Sequence, residues 1–446
     1  MAEAAVTVPA ETRQKARPTV VLPIVERIAE DAAFLWLWRS HQVRAPNVRL
    51  MTLSQRDEKL KAHLEALRIA GPSGAGEAAA QMQSLQPGAV FVAASLALAT
   101  RQPEPLQQIL DHAGLLAAEP EMTEATAELV AAVISAMAWG ERDPAVTAID
   151  RLRVASEPLL RAIAIAAIGA RRSDPGPALA SALADAIPVV RARAYRTTGQ
   201  LGRADLMAHL APGLTDPDPE CRFWAAWAAA RMGAGEEPLG VLAEIAWTDQ
   251  PRAGLALDML LRRLELSHAN AWLREFAKLP GRQRDLIRAT GVVGDPVYIP
   301  WLIERMVEAE TARLAGEAFS MMTGVDLAYR DLDRKAPRDF QSGPNDDPAD
   351  ENVALDEDEY LPWPDPGLVG SWWIANLAHY QPGTPWFLGT PKPATGWMAA
   401  LSDAFQRQRH AAAVELAIRM PRHAMFEVRA RGRLQRQLLV RARGSS

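Results

Sequence analysis

Apolar residues recur along the chain at three- and four-residue intervals, with polar residues between them, which is the period of a helix with one packed face. Ala162, Ile165 and Ala166 show it in mid-chain; Leu53, Leu60, Leu64 and Leu67 show it near the start. Ile24, Ile28, Phe34, Leu35 and Leu37 alternate with Glu26, Arg27, Glu30 and Asp31, predicting an earlier helix with Trp36 and Trp38 close by. Met398, Leu401, Phe405, Ala412 and Leu416 predict one long helix from about residue 396 to 420. From Met425 onwards the pattern admits a short hairpin around Arg431-Gly-Arg433 or a further helix.

The middle of the chain repeats itself. Pro158-Leu-Leu-Arg161 leads to Gly169, Pro188-Val-Val-Arg191 to Gly199, and Pro219-Glu-Cys-Arg222 to Gly233. The marker arginines are 30 and 31 residues apart, and the same phase lands on Arg252, Gln283 and Arg313. Glycine recurs eight residues after the marker (Gly169, Gly199, Gly291) or eleven after it (Gly202, Gly233, Gly294, Gly324). Proline is tolerated in a first helical turn, and glycine is favoured just past a helix end, where φ is positive. Each period therefore reads as one helix, with stretches such as 178–186 and 204–210 supplying its partner. Stacked pairs of this length make an all-α fold, an α-solenoid.

This pattern resembles HEAT repeats in their compact bacterial form, over roughly residues 80 to 325 and most clearly from 143 to 325. The resemblance implies that an acidic residue in the turn pairs with the marker arginine: Asp185 with Arg191, and Asp216 or Asp218 with Arg222. Arg161, Arg191, Arg222, Arg252 and Arg313 are then rungs of a structural ladder, with Gly169, Gly199, Gly233, Gly294 and Gly324 as its helix-end positions. Phe223 and Trp227 share a helix face and, with Trp224, are expected in the core.

The flanks differ in texture. We divide the chain into a disordered N-terminus (1–19), an N-terminal helical cap (20–76), HEAT-like repeats (77–325), an acidic, proline-rich irregular segment (326–370) and a helical extension rich in Trp and Arg (371–446). Gly71-Pro-Ser-Gly-Ala-Gly76 breaks the helical pattern and marks a loop. Residues 326–366 hold 13 acidic and 4 basic residues, and five of the 13 tryptophans lie between Trp363 and Trp397. Arg313-Leu-Ala-Gly-Glu-Ala-Phe-Ser320, Leu355-Asp-Glu-Asp-Glu-Tyr-Leu-Pro-Trp-Pro-Asp365, Trp372-Trp373 and Gln406-Arg-Gln-Arg-His-Ala-Ala-Ala413 resemble an uncharacterised proteobacterial HEAT-repeat family. Phe34-Leu-Trp36 and Ala62-His-Leu-Glu65 fit it too. Its members are often encoded near type VI secretion components; the resemblance brings no catalytic residues.

Composition narrows the function classes. A net charge of −5 gives no global field for nucleic acid or an anionic membrane. The single cysteine, Cys221, excludes an intramolecular disulfide and a cysteine-built zinc or iron–sulfur site within one chain. The longest apolar stretch, Leu129 to Trp139, is too short to span a bilayer, and the first twenty residues lack the apolar core of a signal peptide, so the cytoplasm is expected. The eight histidines form no His-Glu-x-x-His motif, and neither a phosphate-binding Gly-x-x-x-x-Gly-Lys loop nor a Gly-x-Ser-x-Gly elbow occurs. No cofactor or metal is expected.

Two charged stretches remain. Residues 345–359 carry eight carboxylates without calcium-loop spacing, reading as a solvated loop or a docking strip for a basic partner. Residues 401–446 carry ten arginines against three carboxylates, placed to neutralise that strip or to meet phosphates. Trp363, Trp372, Trp373 and Trp386, with Arg407 and Arg409, form either a local core or a partner groove. The resulting expectation is a non-enzymatic protein-binding scaffold or adaptor. The first alternative is an enzyme using Glu317, Asp356, Glu359 and His379; the second is nucleic-acid binding through the C-terminal arginines.

Overall fold

The computed structural model describes residues 20–100, 103–116, 123–248, 251–338, 340–343, 356–392 and 396–444. Segment 1–19 and residues 345–355 of the acidic strip lie outside the described residues.

Helices α1 (Leu22–Gln42), α2 (Leu50–Ile69) and α3 (Pro72–Met82) pack on one another and on α4 (Pro87–Thr100). An array of pairs follows. Its outer helices are α5 (Pro103–Leu116), α7 (Arg142–Leu152), α9 (Ala178–Leu183), α11 (Met207–Leu210), α13 (Glu236–Ala246), α15 (Leu266–Phe276) and α17 (Ile299–Arg305). Its inner helices are α6 (Glu124–Trp139), α8 (Pro158–Arg171), α10 (Pro188–Leu201), α12 (Pro219–Arg231), α14 (Ala253–Arg263), α16 (Gln283–Val293) and α18 (Ala309–Thr323). Each inner helix packs on the next, from α4 through to α18; one apolar core runs along the row as far as α16, and α18 is buried in a second. Phe223, Trp224 and Trp227 are buried in it, as expected.

Two details of the repeat differ from the sequence reading. Gly169 and Gly199 do not end helices; they lie inside α8 and α10. A side chain on Gly169 would strike Thr197 and Gln200, and one on Gly199 would strike Trp227 and Ala228. Eight residues after the marker is a place where one inner helix packs too closely on the next to admit a side chain. Eleven after it is the turn: Gly202, Gly233, Gly294 and Gly324 all have positive φ.

The arginine ladder is shifted by one repeat. Arg161 donates to the Asp185 carboxylate at 3.0 and 3.1 Å, and Arg191 donates to Asp216 at 2.9 and 3.0 Å. Each arginine thus reaches forward to the next turn, while its remaining nitrogen bonds backbone carbonyls of its own turn: Asp185 O and Ala186 O for Arg191. Arg222 likewise caps Asp216 O and Pro217 O. Arg252 pairs with Glu220, and Arg313 with Asp356 beyond the array. Arg191→Met is expected to cost about 1–3 kcal/mol, because it strands the buried Asp216 carboxylate; urea denaturation measures this.

Outside the array, residues 72–76 are helical rather than a loop, since Pro72 opens α3 and Gly74 lets it press against the backbone of Leu67. After α18 come two short antiparallel ribbons, β1 (Asp333–Arg334) with β2 (Trp363–Pro364) and β3 (Trp386–Phe387) with β4 (Thr390–Pro391). Helices α19 (Pro366–Asn376), α20 (Trp397–Asp403), α21 (Gln406–Arg419) and α22 (Gly432–Gly444) complete the chain. The single helix expected over 396–420 is broken at Ala404–Phe405, where the backbone extends to form a bridge with Arg49 and Gln406 N–H donates to Val48 O at 2.8 Å. The tail is the helix α22, not a hairpin.

That bridge closes the arc. Arg49 pairs with Asp326 at the end of the array and donates to Asp403 O. Buried Arg39 of α1 binds Asp57 and the carbonyls of Arg429 and Ala430, and Gly432 N–H donates to the same Asp57. The segment between α21 and α22 crosses the ends of the inner helices: Arg172 donates to Met425 O, Arg231 to Pro421 O and His423 O, and Met425 N–H to Gln200 O. The chain's own C-terminal extension therefore occupies the inner face that an open solenoid would leave free.

Candidate functional site

The extension does not fill the interior. A cavity of about 1200 Å³ remains where it meets the array. Inner helices α14, α16 and α18 supply Leu255, Asp258, Arg262, Arg288 and Glu317 to its wall. The last turn of α1 supplies Trp38 and His41, the turn after it Arg44, α2 Arg56, and α21 Arg407 and His410. Asp356, Glu357, Glu359 and Tyr360 line the remaining side. A second cavity of about 720 Å³ shares Pro46, Asn47, Glu317, Glu359, Tyr360 and Arg407 with the first. The Glu317–Arg407 ion pair, at 2.9 Å, stands between the two.

The electrostatics of the wall follow from what each group finds there. Burial raises the Glu317 carboxyl above its usual pKa, with Arg407 pulling the other way. Burial lowers the His410 imidazole, opposed by Asp258. Burial also works against ionised Asp258, yet Arg262 beside it holds that carboxyl below its ordinary value. Glu415 of α21 accepts from Arg262 at 2.7 Å and from Lys392 at 3.3 Å, locking α21 to α14. On the opposite wall the cations are less well served. The Arg56 guanidinium lies over the Trp38 ring, 4.1 Å from its centroid, and its Nη1 is buried without an acceptor among the described residues. Arg44 has no described side-chain acceptor and uses its carbonyl to receive Arg407.

The rim is aromatic and apolar. Trp38 is 39% exposed, Leu255 42% and Tyr360 56%. Phe34 stacks on Trp38 with ring centroids 6.4 Å apart, and exposed Leu37 lies on the same stretch of α1.

The tryptophans and arginines singled out in the sequence have other surroundings. Trp373 and Trp386 are buried with Tyr380, and half-buried Trp372 packs edge-on against Phe319. Trp363 is half-buried between Phe340 and the Arg313 guanidinium. These rings form a second core that seats α19 on α17 and α18. Arg407 is held by Glu317 and by the carbonyls of Arg44 and Glu357. Arg409 has no exposed surface; it donates to Leu401 O, Gln406 and Gln435, whose amides in turn bind the carbonyls of Val43, Val428 and Ala430. Arg431 lies over Trp139.

Among the enzyme candidates, Glu317, Asp356 and Glu359 share the cavity, with Glu317 engaged by Arg407 and Asp356 by Arg313. His379 is elsewhere, packed between Tyr380 and Trp386. Trp38, Arg44, Arg56 and Leu255 were not legible as a group, because α1 and α14 come to line one cavity only once the arc closes. Among the described residues, no group of three His, Cys, Asp or Glu side chains is placed to hold a metal ion, and no helix is long and apolar enough to cross a membrane. Cys221 is buried, its thiol pushed up to about 12 by desolvation and the nearby Asp216.

Residues 176–260 match the family model of HEAT repeats, which covers α10, α12 and their outer partners as well as most of α14. The fold is a HEAT-like α-solenoid. A solved structure of an engineered protein is 13% identical, aligning over 67% of this chain and 94% of its own, with a TM-score of 0.29, a likeness that carries no argument. No curated protein matches.

Proposed function

We propose that this chain is a non-enzymatic protein-binding scaffold or adaptor that engages its partner through the aromatic rim of the central cavity. The observation that carries this reading is the exposed set Trp38, Leu255 and Tyr360 at one mouth, extended along α1 by Phe34 and Leu37. Aromatic side chains anchored on rigid elements are the usual energetic centres of protein interfaces, and HEAT-type arrays present such surfaces without paying for loop ordering. Two of the C-terminal arginines are engaged inside the chain, Arg409 by amides and Arg407 by Glu317. The family resemblance makes type VI secretion components the first partners to offer, in a cytoplasmic setting.

Phe34→Ser combined with Leu37→Ser tests the reading. Both side chains are exposed, so the melting temperature should stay close to the parent's. Affinity for a partner captured by the parent should fall about tenfold or more, the scale of an aromatic anchor's loss. Unchanged partner affinity in the double variant would remove the rim from the interface.

A further inference from the structure

Among the described residues, the interior next to the cavity holds more cations than carboxylates. Arg193 and Arg196 lie one turn apart on the inner face of α10, and neither has a hydrogen-bonding or ion-pairing acceptor among the described residues. Arg196 lies over Trp224, 4.5 Å from the ring centroid, on the same ring as Arg252 at 5.5 Å. The segment that follows α21 is hydrogen-bonded through Met425 to Gln200, one turn beyond Arg196, and Arg429, four residues on, lies close enough to act on Arg196. Among the described residues two carboxylates stand with these groups, and both are taken. Glu220 receives Arg252 and the Trp224 indole N–H; Glu427 receives Arg172 and Arg429. Arg172, Arg193, Arg196, Arg252 and Arg429 thus face Glu220 and Glu427, an excess of three positive charges among the described residues.

Guanidinium groups stay protonated in proteins, so this charge cannot be relieved by losing protons near neutrality. The strain is visible in Arg196, whose pKa is driven well below its usual value by burial and then by Arg429 and Arg193. The three side chains are not sealed off: Arg193 and Arg196 keep a minor part of their surface accessible, and 38% of the Arg429 side chain remains accessible. It also adjoins the cavity, since Arg44 and His410 on the cavity wall lie close enough to feel Arg429.

We propose that Arg193, Arg196 and Arg429 form the floor of a binding site for a small polyanion carrying two phosphoryl groups, entered through the cavity past Arg44. A phosphoryl group carries a charge of about −1.5 to −2, so two of them match the excess that a lone carboxylate would leave largely uncompensated. The planar fork of arginine suits phosphoryl oxygens, and stacking on Trp224 leaves the Arg196 N–H edges free to donate. This site is independent of the rim proposed for the protein partner.

The test uses the full chain and inorganic pyrophosphate, followed by titration calorimetry and thermal melting at physiological salt. One pyrophosphate per chain should bind and raise the melting temperature. Arg193→Gln with Arg196→Gln should weaken binding about tenfold or more while melting, without pyrophosphate, at or above the parent's temperature, because repulsion is relieved. Arg433→Gln with Arg436→Gln, exposed on α22, should bind as the parent does. No saturable binding at about 1 mM, parent-like affinity in the α10 variant, or an equal loss in the α22 variant would each overturn the proposal. A glutamate-rich peptide that displaces pyrophosphate with equal affinity would overturn the phosphoryl assignment.

Discussion

Glu427→Gln is expected to remove about 3–5 kcal/mol of folding stability at neutral pH, because it deletes one charge from a buried, hydrogen-bonded set and strands the others. The carboxylate accepts from Arg429 Nε at 2.9 Å, from Arg429 Nη2 at 3.0 Å and from Arg172 at 3.0 Å. Glutamine keeps the shape but not the charge, leaving Arg172 and Arg429 beside Arg193 and Arg196. Urea denaturation of parent and variant gives the difference. Acid supplies a second arm. Burial alone would raise the Glu427 pKa, yet Arg429 and Arg172 outweigh it and hold the carboxyl far below its usual value. A depressed folded-state pKa means that the stabilisation is complete above the unfolded value, near 4.3, and is lost as pH falls towards the folded one. The gap between parent and variant should therefore be widest above pH 5 and narrow as the solution is acidified. A gap independent of pH would point to altered packing rather than lost charge.

The repeats were legible because their determinants are local. Proline at helix starts, glycine past helix ends and a marker arginine every thirty residues each act within one or two turns of themselves. Even there, sequence left the direction of the ladder open: Asp185 is near Arg191 in the chain, but its carboxylate serves Arg161 in the preceding repeat. The glycines eight after the marker carried the right spacing for the wrong reason, since a tight helix crossing and a helix end ask for the same residue. What sequence could not show is the closure. Arg39 to Ala430 and Arg231 to His423 join residues about two hundred to four hundred positions apart, and no local pattern announces them. Nothing in the sequence marks Gln406, Arg409 and Gln435 as buried; their burial follows only from a network that satisfies nearly every donor and acceptor. The cavity shared that obscurity. Its acidic members stood out by composition, whereas Trp38 and Arg44 joined it through tertiary contacts alone.

Ending the chain after residue 396 is expected to abolish cooperative folding, the largest effect foreseen here. An ordinary solenoid is quasi-one-dimensional: each repeat leans on its neighbours, and trimming one end costs only that end. Closure changes the consequence. Without α20, α21 and α22, the array loses Trp397, Leu401, Val414, Met425, Val428 and Leu439 from its core. Arg39, Arg172, Arg231 and Arg262, spread from α1 to α14, all lose acceptors at once. Each stranded buried donor costs about 1–3 kcal/mol, against a total folding stability of about 5–15 kcal/mol for a typical domain. The deficit exceeds what the repeats alone can cover. Circular dichroism of the truncated chain should show retained helix with a broad, shallow melt, and size-exclusion chromatography should show association through the uncovered face. A sharp transition within a few degrees of the parent's would mean instead that the array is self-sufficient and that the extension merely rests on it.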